Sequence, residues 1–145
     1  MGEFVVNMAT YDLREQMNIT AQKVAPGVNE AELAGLEMVP SRMVKPPRVA
    51  ASPVQMECRY YTTLVLPGRE PGASSSVVVG EVIGIHIKDE FIGADGKIDV
   101  VKMRPLARMG YMDYTSVTEV FTMPPHGAGA GTLSLGLEGR PARER

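Results

Sequence analysis

The stretch Arg104-Pro105-Leu106-Ala107-Arg108-Met109-Gly110-Tyr111-Met112-Asp113-Tyr114 concentrates residues able to hold a planar anion. Arginine presents a rigid fork of N–H donors to phosphate or to a developing negative charge. Glycine lets a flat ligand approach the backbone, and tyrosine adds an aromatic face with a hydroxyl. The chemistry these residues suit is the binding of a flat, anionic cofactor. Ordinary loops carry the same residue types, so the stretch by itself leaves that role open.

Other chemistry-bearing groups point elsewhere. Gly127, Gly129 and Gly131 before Thr132 superficially suggest a phosphate loop. They lack the lysine of a nucleotide-binding loop and the spacing of a dinucleotide fingerprint, and they follow no strand-to-helix unit, so a flexible tail is the expectation. Ser74-Ser75-Ser76 has no Gly-x-Ser-x-Gly setting. With His86 and His126 as the two histidines, a hydrolase triad is disfavoured: His126 falls in the tail, and His86 is expected on a strand, facing solvent or a neighbour. Cys58, the single cysteine, sits between Met56 and Tyr60 and is expected to be a small buried hydrophobe. One cysteine excludes a disulfide framework, and no metal site is expected.

These residues need elements to position them. Thr10 and Asp12 offer cap oxygens to a helix whose apolar face is Leu13, Met17, Ala21 and Val24, broken by Pro26-Gly27. A second short helix is predicted after Asn29, with Glu32 completing a capping box. Before them, Glu3 to Met8 reads as a strand. The proline-rich stretch from Val39 to Pro53 is expected to be an edge segment or extended loop. Alternation then predicts a long strand with Val54, Met56, Cys58, Tyr60, Thr62, Leu64 and Leu66 on one face. Glu57 and Arg59, on the other, read as a solvated or barrel-exterior pair.

A polar loop from Pro67 to Ser76 leads to a return strand from Val77 to Lys88. Glu81 interrupts its apolar face, either ending the buried stretch or meeting a cation such as Arg59 or Arg42. Gly80 and Gly84 lie four apart, suited either to coiling a strand for barrel closure or to admitting a bulky neighbour. Asp95-Gly96 predicts a tight turn between Ile92 and Ile98, Pro105 bars a long helix, and Val120 to Met123 reads as a last short strand.

Composition bounds the function. Fifteen Lys+Arg against seventeen Asp+Glu among 145 residues leave a formal charge of −2, which excludes a nucleic-acid or membrane-surface binder working through bulk charge. Apolar runs such as Val77 to Val79 are too short to span a bilayer, and no signal-peptide pattern is present. A soluble, cytoplasmic protein with one domain over residues 1–125 and a disordered tail over 126–145 is expected.

The ordered series Gly2-Glu3-Phe4-Val5-Val6-Asn7, Met17-Asn18-Ile19-Thr20, Gly27-Val28 with Glu32-Leu33-Ala34-Gly35-Leu36, Pro40-Ser41, Met56-Glu57-Cys58-Arg59, Val79-Gly80-Glu81-Val82 with His86-Ile87, and Arg104-Pro105-Leu106-Ala107-Arg108-Met109-Gly110 with Tyr114 resembles the flavin reductase-like, FMN-binding split-barrel family. The resemblance runs over roughly residues 2–125. It implies a mainly β fold with short helices, a Greek-key split β-barrel, assembled as a homodimer with FMN in the inter-subunit cleft. It implies hydride transfer from NADH or NADPH to the flavin, the redox chemistry belonging to the cofactor. A non-catalytic FMN carrier and an inactive remnant are the alternatives.

Arg108, Gly110 and Tyr114 match the family's Arg-Leu-Gly-Gly-x-x-Tyr segment near the flavin, with Met109 in place of Leu and Tyr111 in place of the second Gly. Asn18 and Thr20 match an Asn-x-Thr near the cofactor, though satisfying backbone groups at a helix end would explain them equally. Members of the family carry further strands ahead of Gly-Glu-Phe-Val-Val-Asn that supply many FMN contacts, so the chain is expected to be an N-terminally truncated form of the barrel.

Overall fold

Successive side chains of a strand point to opposite faces, so the alternation that starts at Val54 can bury one set of residues only by becoming extended. The structure is a computed structural model, and it describes residues 2–70 and 72–123. In chain order the elements are β1 (Glu3–Asn7), a 3-10 turn (Tyr11–Leu13) leading into α1 (Arg14–Thr20), α2 (Glu30–Leu33), β2 (Met38–Val39), β3 (Arg48–Val49), β4 (Val54–Pro67), β5 (Ser74–Ile87), a second 3-10 turn (Asp89–Phe91), α3 (Val100–Met103), β6 (Leu106–Gly110) and β7 (Asp113–Ser116). The expected mainly β architecture with short helices is what forms. Among the described residues the strands make a three-stranded sheet in the order β1-β4-β5 and two small hairpins, β2-β3 and β6-β7, and these sheets do not close into a full barrel.

Several local expectations meet the structure directly. Asn29 caps α2, its Oδ1 accepting from the Ala31 N–H at 3.1 Å; Glu32 reaches back to the Asn29 side-chain amide at 2.8 Å and not to its backbone N–H, so the cap forms without the full capping box. Ile92 bridges Ile98 around the predicted turn, and Arg59 pairs with Glu81 at 3.6 Å. Others shift. Helix α1 stops at Thr20, short of Val24, and neither Thr10 nor Asp12 caps it with a side chain. Strands β4 and β5 run to Pro67 and from Ser74, consuming both ends of the predicted polar loop. Val120 to Met123 carries no strand. The tail expected over 126–145 lies outside the described residues.

The glycine pair of β5 admits neighbours. A Cβ on Gly80 would lie 2.5 Å from Cζ of Phe4 and 3.0 Å from the Arg59 carbonyl oxygen. One on Gly84 would lie 3.0 Å from Sδ of Met43. Phe4 of β1 and Met43 of the proline-rich segment therefore cross β5 where it has no side chains.

The largest correction concerns Glu57. It is not a solvated partner of Arg59 but has no exposed surface at all. β4 and β5 run antiparallel with Gln55 opposite His86 and Glu57 opposite Gly84, and the segment from Pro40 to Pro47 folds over that face. Glu57 Oε1 accepts from the Arg42 N–H at 2.9 Å and meets His86 Nε2 at 2.5 Å. Its Oε2 accepts from the Met43 and Val44 N–H groups at 2.6 and 3.1 Å. A carboxylate only accepts, so His86 Nε2 carries the proton that it donates.

Burial alone would raise this carboxyl, but the three backbone donors and the histidine outweigh it and hold the pKa down at about 2, against an ordinary 4.5. The same face continues in polar stitches. Gln55 donates to the carbonyls of Val49 and Ser52 and accepts from Arg48 Nη1 at 2.9 Å, and Asn7 accepts from the Val49 N–H at 2.9 Å.

Two predictions follow from this packing. A carboxyl with a depressed folded pKa contributes stability that is whole above about 4.5 and lost as pH falls towards 2. Glu57→Gln should therefore lower the neutral-pH Tm by on the order of 10 °C, and the gap to the unmodified chain should shrink on acidification through that window; parallel melting curves at every pH would contradict the assignment. Cys58 is buried, and burial pushes its thiol pKa up. Its reaction with a disulfide reagent should be on the order of 100-fold slower in the folded chain than in denaturant, a comparison that a colorimetric thiol assay makes directly.

Candidate functional site

Two strips of chain almost a hundred residues apart pair to build the site. Thr10 bridges Pro105, the Leu106 N–H donates to the Ala9 carbonyl at 3.0 Å, and the Tyr11 N–H donates to the Arg104 carbonyl at 2.9 Å. This pairing sets α1 beside the β6-β7 hairpin. Between them opens a cleft of about 700 Å³, within the size range of small-molecule and cofactor sites. Arg14, Met17 and Asn18 of α1 line one wall, and Arg108 and Tyr114 of the hairpin line the other.

Arg108 is held in place from within the hairpin. Its Nη2 donates to the Tyr111 carbonyl at 2.9 Å, and its Cζ lies 5.8 Å from the centre of the Tyr114 ring. On the facing wall, Arg14 Nη1 donates to the Tyr11 carbonyl at 2.8 Å. Its guanidinium lies over the Tyr11 ring at 4.2 Å, and Arg104 lies over the same ring at 3.9 Å. The cleft thus joins aromatic faces to fixed positive charge, with the hydroxyls of Thr115, Ser116 and Thr118 along its lining. Electron-poor edges and negative groups of a flat ligand suit such a surface.

Three of the five residues singled out from the sequence share this cleft: Asn18, Arg108 and Tyr114. Gly110 is not among its lining residues; it supplies the backbone turn at the hairpin tip, at φ +146. Thr20 is separate again. Its hydroxyl donates to the Met17 carbonyl at 2.8 Å, and it lines a second cavity of about 270 Å³ with Gln16 and Asn7. Arg14 and Tyr11 are cleft residues that sequence reasoning missed. The available signal was spacing: Arg14 and Asn18 are four apart on a helix and so share a face. His86, left open between solvent and a neighbour, is committed to Glu57 and lies outside the cleft. No helix among the described residues is long and apolar enough to cross a membrane.

Comparison with known proteins agrees with this architecture. The profile of the family described as "Flavin reductase like domain" matches residues 1–106, ending two positions before Arg108. An uncharacterized protein of Aquifex aeolicus is 35% identical over 108 residues, covering 74% of this chain and 52% of the relative. The crystal structure of nitrilotriacetate monooxygenase component B from Bacillus cereus superposes with a TM-score of 0.77 at 27% identity, covering 84% of this chain and 60% of that one. The 2-nitrobenzoate 2-nitroreductase of Pseudomonas fluorescens gives 0.70 at 26% identity, over 89% and 63% of the two chains. The chain spans 52–58% of the length of several curated relatives it matches.

The hairpin tip explains one departure from the Arg-Leu-Gly-Gly-x-x-Tyr pattern. Tyr111 stands at the second glycine position with φ +50, in the left-handed region that a side chain disfavours. The ring is 95% exposed and buries almost nothing in return. Tyr111→Gly should stabilise the chain by about 0.5–1 kcal/mol, read as a rise in the denaturant midpoint at unchanged slope; a fall would mean that the ring makes a contact worth more than the strain.

Proposed function

The chain belongs to the flavin reductase-like domain family, and on that premise we propose that it acts as an FMN-binding oxidoreductase in which hydride passes from NADH or NADPH to the flavin. The observation that carries this reading is the cleft between α1 and the β6-β7 hairpin, where Asn18, Arg108 and Tyr114 come together. Its volume suits a flavin or a nicotinamide ring, and its lining suits an anionic, planar group. Bound FMN supplies the two-electron chemistry.

The residues of this chain bind and orient. Arg108, restrained by the Tyr111 carbonyl, keeps its remaining N–H groups for an anion. A fixed cation beside the ring system favours the negative charge that reduction brings, without reorganising during the reaction. Tyr114 offers a flat surface beside that cation, and Asn18 offers both a donor and an acceptor from the helix wall. Met112 adds an apolar side chain to the lining. Gly110 allows the tight tip that aims Arg108, and Thr20 steadies the end of α1 through the Met17 carbonyl. We read the working form as a cytoplasmic homodimer.

The test is a flavin titration followed by turnover. FMN added to the full chain should show quenched flavin fluorescence, and Arg108→Gln should weaken the affinity by about tenfold. NADH or NADPH should then be oxidised in the presence of excess FMN. Binding without oxidation would make the protein a flavin carrier, and the absence of any binding would overturn the proposal.

A further inference from the structure

Two guanidiniums lie against the ring of Tyr11. The Cζ of Arg104 is 3.9 Å from the ring centre, and that of Arg14 is 4.2 Å from it. An aromatic face attracts a cation, but two like charges at one ring also repel each other. Arg14 has Glu15 beside it at 3.4 Å, whereas among the described residues no carboxylate lies within ion-pair distance of Arg104. Tyr11 and Arg14 both line the cleft beside the β6-β7 hairpin, and Arg104 does not. An unpaired charge has therefore been placed just behind the wall of the site.

The backbone of Arg104 is unfavourable as well. Its φ of +52 lies in the left-handed region at the end of α3, where glycine is the common choice because it has no Cβ to crowd. Pro105 follows, and a residue before proline favours extended backbone. A glycine at 104 would make the same turn with less strain but would leave the Tyr11 ring unheld. The arginine holds Tyr11 twice: its carbonyl accepts the Tyr11 N–H at 2.9 Å, and its guanidinium lies over the ring. Tyr11 passes the restraint on, its own carbonyl accepting from Arg14 Nη1 at 2.8 Å. Arg104 thus reaches the cleft wall through one intermediate residue.

We infer that Arg104 is a positioning residue for the cleft, acting through Tyr11 to fix Arg14 at its wall. The inference rests on the reading that the cleft binds a flavin, and it adds which residue outside the lining sets the geometry. Strained backbone that persists without a local gain is typical of residues that hold a binding site in place. Here the strain keeps the carbonyl and the guanidinium of one residue on Tyr11 together.

FMN titration of the full chain and of its Arg104→Gly, Arg104→Lys and Tyr11→Leu variants tests it, with flavin fluorescence as the readout. Arg104→Gly removes the guanidinium and relieves the backbone at once. Its FMN affinity should fall about fivefold while its denaturation midpoint holds or rises. Arg104→Lys keeps a cation for the ring without the planar fork, and should recover part of the affinity. Tyr11→Leu should also weaken binding, and adding Arg104→Gly to it should cost no more than about a further twofold, because both act on one path. The restraint is readable without ligand: in Arg104→Gly the Tyr11 amide should exchange with deuterium about fivefold faster at undiminished global stability. An unchanged Tyr11 amide, losses that multiply in the double variant, or a midpoint that falls together with the affinity would overturn the inference. If the unmodified chain binds no FMN but this amide loosens as expected, the flavin function falls and the positioning stands; if FMN binds and Arg104→Gly alters neither affinity nor exchange, the positioning falls and the function stands.

Discussion

A fully buried carboxylate that meets four donors ties together parts of the chain that have little else to hold them. Glu57 takes the N–H groups of Arg42, Met43 and Val44 and the ring of His86. Those three consecutive amides belong to a proline-rich segment with almost no regular structure. Had that segment folded over an apolar residue, its N–H groups would have been buried without partners, at a cost comparable to that of losing the bonds themselves. The carboxylate turns that liability into an anchor. Gln55, Asn7 and Arg48 extend the arrangement, so the segment lies on β4 and β5 through polar stitches.

This anchoring divides the long hairpin in two. Near Val54 to Cys58, β4 is flanked by β1 and β5 and covered by the stitched segment, and Val54 and Cys58 are buried. Beyond Arg59, β1 ends, and both faces of β4 and β5 open to solvent: Tyr61, Val65, Val78 and Leu64 are all exposed. The register shifts at Glu57/Cys58 and Tyr60/Thr62 fall at this transition, where an extra residue bends and twists a strand. The buried end of the hairpin is the base on which the rest is placed. Met8 donates to the Val54 carbonyl, and the chain from Met8 to Tyr11 then pairs with Arg104 to Leu106. The cleft walls are thus referred, through two short pairings, to the same base that Glu57 secures.

The sites differ in how their charges are satisfied. At Glu57 both oxygens of a fully buried carboxylate are satisfied by donors of the chain itself, which suits a structural role. In the cleft the guanidiniums rest on carbonyls and aromatic rings, Arg14 with only the exposed Glu15 beside it at 3.4 Å and Arg108 with no carboxylate in reach among the described residues, which suits a ligand. Strain is spent on the cleft side as well: Arg104 and Tyr111 both adopt left-handed backbone, one at the end of α3 and one at the tip that orients Arg108.

Much of the element order was legible in the residues. Alternation from Val54 marked β4, Asn29 marked α2, Asp95-Gly96 marked a turn, and the ordered series of short motifs marked the family. These signals are local, set by the geometry of a strand, a cap or a turn. The hairpin residues Arg108 and Tyr114 stood out for their chemistry, and Asn18 through the family resemblance. What alternation could not say was which face of β4 would be covered. It put Glu57 beside Arg59 on one face and left both to solvent, because a period of two separates faces without revealing what folds over either. Only the tertiary structure decided that Glu57 is the buried anchor, that Gly80 and Gly84 make room for Phe4 and Met43, and that Arg14 and Arg108 line one cleft. Each of those depends on contacts between segments far apart in the chain, and no local pattern encodes a distance between them.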